Sequence, residues 1–118
     1  MDTYTGIEGR GQKRVRVNCT VVYRLNEPPS ARFIMQGKDI QARMIDVSQG
    51  GMAMVTDYDI PVSTVLSMRF TLLNVNKEVV TFSGPMEVTG EVRSNVPEEK
   101  NEHRLGIWFT KVRRISVA

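Results

Sequence analysis

The stretch IQARMIDVSQGGMAMV, residues 40–55, has the pattern of two β-strands joined by a short loop. Apolar and polar residues alternate before the loop, and an apolar run resumes at residues 52–55. The loop, residues 46–51, ends in two adjacent glycines, which suit a hairpin connection because glycine adopts positive φ without steric cost. The stretch therefore predicts a β-hairpin, and the rest of the chain can be placed around it.

The same loop has the composition of a polar ligand site. Asp46 can accept hydrogen bonds, whereas the Ser48 hydroxyl and the backbone N–H groups of the loop can donate them. Gly50 and Gly51 would let a ligand approach the backbone closely. Asp and Ser before two glycines are also ordinary turn formers, so the loop alone fits a plain connection as well.

Alternating apolar residues predict further β-strands on both sides of this hairpin. The predicted strands begin near Val15, Ile40, Met52, Leu66, Val80 and Leu105. The strand that begins at Val80 meets Ser83-Gly84-Pro85, which predicts a bulge or bend there. About six strands with little helix predict an all-β fold, and we expect a six-stranded antiparallel β-barrel. A barrel is favoured over an open sheet because exposed edge strands invite aggregation.

Length and composition fit one globular domain. The chain has 118 residues, of which 41% are apolar and 25% charged, enough for one core without a disulfide or metal. We expect a flexible N-terminal arm at residues 1–13, the barrel at residues 14–112 and a short tail at residues 113–118.

The sequence also carries expectations about location. No apolar run approaches the roughly 18 residues that span a bilayer, so we expect no membrane insertion. The first residues lack the basic start and apolar stretch of a signal peptide. The single cysteine, Cys19, is consistent with a reducing compartment. We therefore expect a cytoplasmic protein.

Residues suited to catalysis are few. The sole histidine, His103, lies in a charged segment without a cysteine nearby, and no metal-ligand spacing is present. We expect a protein that is not an enzyme and needs no cofactor. Trp108 is out of phase with Leu105 and Ile107, so it could cap a barrel end, stack on a ligand base or contact a partner protein.

Two short motifs occur together around the predicted first strands. RGQKR places Arg10 and Arg14 at the head of the first strand, and DVSQGG forms the hairpin loop. These segments resemble the RxxxR and [D/N]xSxxG signatures of PilZ domains, in the same order, and RLGIWF at 104–109 resembles the closing strand of that family. The resemblance covers about residues 10–112. Gly9 stands where many relatives carry a further arginine, so the ligand stoichiometry stays open.

The resemblance implies a six-stranded antiparallel barrel that binds cyclic di-GMP, a bacterial second messenger. It implies these ligand-binding residues: Arg10, Arg14, Asp46, Ser48, Gly50 and Gly51. Their chemistry agrees, because guanidinium groups fork onto phosphate or guanine O6 and N7 and can stack on a base. It also implies a single-domain receptor that changes conformation on binding and regulates a downstream protein, in motility, adhesion or exopolysaccharide production.

Two other functions compete with this interpretation. A PilZ-like module could act through protein contacts without binding nucleotide. A small nucleic-acid-binding barrel is suggested by the net charge of +3 and the basic arm. Aromatic residues are 7% of the chain and mostly occupy apolar phases, so they offer little of the stacking surface that such barrels use. We therefore do not expect nucleic acid as a partner.

Overall fold

The structure is a computed structural model, and it describes residues 13–27 and 38–115. These residues form six strands and one short 3-10 helix, at Glu99–Asn101. The strands are β1 (Val15–Glu27), β2 (Ile40–Val47), β3 (Gly51–Thr56), β4 (Val65–Leu72), β5 (Gly84–Pro97) and β6 (His103–Arg114). In these residues no helix has the length and apolar character needed to cross a membrane.

The strands close into a barrel in the order β1-β2-β3-β6-β5-β4, and all six neighbouring pairs are antiparallel. This confirms the predicted all-β, six-stranded antiparallel barrel. The strand that closes the ring, β1, pairs with β2 along residues 15–23 and with β4 along residues 22–27. Strand pairing thus satisfies the backbone around the ring and removes the edges that an open sheet would expose.

The barrel core consists of the apolar residues that alternate inward along the strands. Methionine is common in it because its unbranched, flexible side chain fills irregular gaps. The buried methionines are Met44, Met52, Met54, Met68 and Met86. The methionines in the described part of the chain therefore serve as core residues rather than as an exposed binding surface.

The connection between β4 and β5 corrects one prediction. Val80 and Phe82 were expected to begin a strand, but β5 begins at Gly84, whose φ is +82°. Val80 and Phe82 are instead buried side chains of the loop 73–83, where they pack into the barrel end. Their apolar pattern resembles a strand, yet it arises from a loop that covers the core.

The ends of the other elements also differ from expectation. The bulges of the β5–β6 pair lie between Thr89 and Gly90 and between Val92 and Ser94, rather than at the Gly-Pro pair. Strand β6 continues to Arg114, beyond the boundary expected at residue 112. Residues 1–12 and 116–118 lie outside the described part of the chain, so the expected arm and tail stay predictions.

The antiparallel order brings four segments to one end of the barrel. They are the start of β1, the turn between β2 and β3, the loop 73–83 and the end of β6. The opposite end receives the β3–β4 and β5–β6 connections. The predicted ligand loop and the start of β1, which follows the arginine motif, are therefore neighbours by topology.

A buried polar contact links β1 and β3 across the core. The Tyr23 hydroxyl lies 2.7 Å from Thr56 Oγ1, and both residues are buried. Burial removes the phenol from water and raises the pKa of Tyr23 to about 12. Since the folded pKa exceeds the unfolded value of about 10, this contribution to stability is present below pH 10 and is lost as pH rises through 12.

We therefore expect Tyr23→Phe to lower the free energy of unfolding near pH 7 by about 1–2 kcal/mol, because Thr56 loses its buried partner. Between pH 10 and 12 the wild type should lose more stability than the variant, so the two denaturation curves converge. Urea unfolding at a series of pH values measures this. Tyr58→Phe, which removes an exposed phenol, is the matched control, and parallel pH profiles for wild type and Tyr23→Phe would contradict the assignment.

Gly51 in β3 and Gly106 in β6 lie on paired strands, and the space for a Cβ differs between them. A Cβ on Gly51 would overlap the backbone carbonyl oxygen of Ile107, whereas one on Gly106 would meet the Ser94 hydroxyl, which can rotate away. Gly51→Ala should cost about 1–3 kcal/mol of unfolding free energy, and Gly106→Ala should cost less. Chemical denaturation of the two variants checks this order, which equal costs or the reverse order would contradict.

Candidate ligand-binding site

Asp46 is the centre of a charged cluster on the outside of the barrel. Arg14 Nη1 donates to Asp46 Oδ1 at 2.7 Å, and Arg104 Nη2 lies 3.8 Å from Asp46 Oδ2. The cluster connects three strands, because Asp46 is the second-last residue of β2, Arg14 directly precedes β1 and Arg104 lies in β6. Arg14 and Asp46 were predicted as site residues, and the structure brings them into direct contact.

The exposure of the three side chains suits a site that exchanges partners. The Asp46 side chain is 16% exposed, while those of Arg14 and Arg104 are 44% and 49% exposed. Half-exposed ion pairs contribute only about 0–1 kcal/mol, so a ligand can rearrange them at little cost. Each guanidinium has five N–H donors, so one bond to Asp46 leaves Arg14 with further donors to offer.

Ser48 closes the turn rather than presenting its hydroxyl to solvent. Its backbone N–H donates to the Gly51 carbonyl at 2.8 Å, and its Oγ donates to the same oxygen at 3.3 Å. The residue is 1% exposed. The ligand contact predicted for Ser48 stays a prediction. In this geometry its hydroxyl and its N–H hold the turn that follows Asp46.

The two glycines of the turn contact β6. The Gly50 carbonyl accepts a hydrogen bond from the Phe109 N–H at 2.8 Å, and Gly51 pairs with Trp108. Gly51 needs its missing Cβ for this close approach of the two backbones. Both glycines thus fix the loop against β6, next to the Asp46 cluster.

Small residues, which we call the floor, lie beside Asp46 in the sheet. In the sheet register, Asp46 lies opposite Ala53, and Ala53 lies opposite Gly106. In the neighbouring residue pair of β3 and β6 on this face, Gly51 lies opposite Trp108. A planar group could rest against this floor, with a carboxylate at one side and an indole at the other. Periodicity alone could not identify this feature, because it depends on the register of three strands.

Trp108 and Arg93 border the floor on its β5–β6 side. The Arg93 guanidinium carbon lies 4.0 Å from the centroid of the Trp108 ring, a cation–π contact. Trp108 lies within β6 and is half-buried on the barrel wall, so it does not cap a barrel end. Sequence reasoning left its role open and assigned none to Arg93 or Arg104, although the polar phase of Arg104 in β6 was a usable signal.

Arg10 lies outside the described residues, so its place in the site stays a prediction. Within residues 13–27 and 38–115, no group of three His, Cys, Asp or Glu side chains could hold a metal ion. The chemistry that the site offers is hydrogen bonding, charge and stacking.

Comparisons with known proteins bear on the fold and the family of the chain. No curated protein sequence gives a significant match. Among solved structures, the chain is similar to the PilZ domain with c-di-GMP of YcgR from Escherichia coli, with 15% sequence identity and a TM-score of 0.54. The similarity covers 83% of this chain and 75% of that one, and it shows a shared fold. The family model of the PilZ domain matches residues 8–117, almost the whole sequence. The chain belongs to the PilZ domain family.

Proposed function

We propose that this protein is a receptor for cyclic di-GMP and binds it on the outer face of β2, β3 and β6. The observation that carries the proposal is the Arg14–Asp46 ion pair, which lies directly beside the glycine turn on a floor of small residues. Membership of the PilZ family supports it, as does the shared fold with a PilZ domain whose structure includes c-di-GMP.

Arg14 and Asp46 provide complementary chemistry for this ligand. Cyclic di-GMP has two phosphates and two guanines, so it presents negative charge, acceptors and donors together. Arg14 can fork onto a phosphate or onto guanine O6 and N7. Asp46 can accept from guanine N1–H and N2–H₂. In the free protein the two side chains pair with each other, and binding exchanges that weak pair for ligand contacts.

The neighbouring residues extend the proposed site. Arg104 supplies a second guanidinium 3.8 Å from Asp46, suited to a phosphate of the same ligand. The Trp108 ring could stack on a guanine in exchange for Arg93, whose guanidinium covers one of its faces in the free protein. Arg10 is proposed as a further ligand arginine from the RxxxR motif. Ser48, Gly50 and Gly51 act through the shape of the turn and its backbone groups.

Calorimetric titration with cyclic di-GMP tests the proposal. Wild-type protein should show saturable binding, and Arg14→Ala or Asp46→Ala should weaken it about 10- to 100-fold, because each removes a charge-assisted hydrogen bond of about 1.5–3 kcal/mol. Arg14→Lys should recover part of the affinity at most, since an ammonium lacks the planar fork.

The chain offers a matched control for this titration. Arg24 and Asp39 form an equivalent exposed ion pair, 2.8 Å between Nη2 and Oδ1, near the far end of β1. Arg24→Ala and Asp39→Ala should leave the affinity unchanged. Absence of binding to folded wild-type protein would refute the receptor proposal and favour a PilZ module that works through protein contacts alone.

Base specificity gives an independent prediction about Asp46. Adenine has an acceptor at N1 where guanine has a donor, so Asp46 would face an acceptor in cyclic di-AMP and repel it. We expect cyclic di-GMP to bind at least about 10- to 100-fold more tightly than cyclic di-AMP, as one good bidentate base contact provides. Asp46→Asn, whose amide can accept or donate, should reduce this ratio. Competition titrations of the wild type and the variant measure it, and an unchanged ratio would remove Asp46 from base recognition.

A receptor of this kind also needs an output. We propose that ligand binding alters the surface at this barrel end and so regulates a partner protein, as the family resemblance suggests for motility, adhesion or exopolysaccharide production. The basic residues around Asp46 would be partly neutralised by the two phosphates. A partner could distinguish the two states by this change in charge.

A further inference from the structure

Gln49, at the tip of the turn, contacts a loop that is distant in sequence. Its Nε2 donates to Thr81 Oγ1 at 2.7 Å, and its Oε1 accepts from the Thr81 backbone N–H at 2.8 Å. We refer to these two hydrogen bonds as the Gln49–Thr81 clasp. Both polar atoms of the Gln49 amide are engaged, so the clasp fixes the direction of the side chain as well as its distance from the loop 73–83.

The loop on the other side of the clasp is firmly attached to the barrel. Val80 and Phe82, which flank Thr81, are buried in the core. The Phe82 ring packs edge to face on Phe109, with ring centroids 6.0 Å apart and an interplanar angle of 65°. Thr81 is therefore held between two buried side chains and offers the turn a fixed anchor.

The loop 73–83 is also ordered by its own hydrogen bonds. The Asn76 side chain accepts from the Glu78 N–H at 2.9 Å, and the Asn76 carbonyl accepts from the N–H groups of Val79 and Val80 at 3.0 Å. Such an Asx turn gives the segment a defined shape without a strand partner. The loop and the core thus provide contacts that position Thr81 in addition to those from the turn.

The turn and the loop 73–83 are connected by a second route through β6. Phe109 carries the ring that packs on Phe82, and its backbone N–H binds the Gly50 carbonyl at 2.8 Å. Gln49 and Gly50, adjacent in the turn, are therefore both bound to elements that meet at Phe82. Contacts at two adjacent residues, one to the loop 73–83 and one to β6, therefore restrict the movement of the turn.

We propose that Gln49 is a positioning residue that holds the turn 46–51 in its ligand-binding geometry, and that ligand binding in return stabilises the loop 73–83. The inference rests on the proposed cyclic di-GMP site, which includes Asp46 and the turn backbone. It assigns Gln49 no ligand contact, because its amide is already bonded to Thr81. It identifies the loop 73–83 as a part of the surface that responds to ligand.

The physical basis is linkage between two equilibria. A turn freed from the clasp populates other conformations, and the apparent dissociation constant then rises by the reciprocal of the fraction in the binding geometry. Coupling is reciprocal, so the ligand must strengthen the clasp by the same factor by which the clasp strengthens ligand binding. The factor by which Gln49→Ala weakens ligand binding should therefore equal the factor by which ligand slows the amide exchange of Thr81.

The first measurement is calorimetry with cyclic di-GMP on clasp variants. Gln49→Ala should raise the dissociation constant about 3- to 10-fold, the equivalent of one or two exposed hydrogen bonds. Thr81→Ala keeps the backbone bond and should have a smaller effect, and the double variant should resemble Gln49→Ala because both changes break one contact. Gln49→Glu, which keeps an acceptor for the Thr81 N–H, should restore part of the affinity. Gln41→Ala, at an exposed glutamine of β2, is the matched control.

The second measurement is amide hydrogen exchange of Thr81 by NMR. Saturating ligand should slow this exchange in the wild type by the factor that Gln49→Ala costs in affinity, and should leave it unchanged in Gln49→Ala. A purely structural role would lower the melting temperature without this ligand dependence.

The possible results separate the two proposals. Wild-type binding with equal affinity in Gln49→Ala, or a ligand-independent Thr81 exchange rate, would overturn the positioning role and leave the receptor proposal intact. A wild type that binds no cyclic di-GMP would overturn both. Loss of affinity in Gln49→Ala together with ligand-dependent protection of Thr81 would support the coupling.

Discussion

The close approach of β3 to β6 at Gly51 is the constraint on which the proposed site depends. The two backbones pair so closely there that a Cβ on Gly51 would overlap the Ile107 carbonyl oxygen. Because Gly51 is fixed, its carbonyl can receive the N–H and the hydroxyl of Ser48 and close the turn. The closed turn then ends β2 at the point where Asp46 meets Arg14.

This arrangement divides the residues of the two motifs into different physical roles. Arg14 and Asp46 are charged groups at the surface, so substituting either residue should change the charge and hydrogen bonding of that surface more than the stability of the fold. Ser48 and Gly51 are buried and shape the turn. A PilZ barrel could therefore retain the serine and glycine for its fold alone, whereas the arginine and aspartate are the residues to which we assign ligand contacts. Both classes are present in this chain.

Much of the fold and part of the site could be predicted from the sequence, for reasons that particular residues illustrate. The alternation of apolar and polar residues along β1 and β4 matches which face of each strand is buried, so the strands and the all-β class could be predicted. Val80 and Phe82 misled the prediction because a loop that covers a barrel end must also bury apolar side chains. The pattern alone does not distinguish such a loop from a strand.

The site was harder to predict where it depends on strand register. Arg14 and Asp46 belong to recognisable motifs, but the contact of Arg104 with Asp46 and the stacking of Arg93 on Trp108 follow from pairings between strands distant in sequence. The hydrogen bond of the Ser48 hydroxyl to the Gly51 carbonyl could not be predicted either, since a serine in a loop motif has the same appearance in a sequence whether or not it closes the turn.

The most direct test of the account is to map the ligand by NMR on the uniformly labelled protein. Amide signals recorded with increasing cyclic di-GMP should shift for residues 14–16, 46–53 and 104–109, which form the proposed face, and should also change at Thr81. The surface around Arg24, Asp39 and Arg69 should keep its signals unchanged. Shifts confined to that other surface, or no shifts at saturating ligand, would contradict the proposed site.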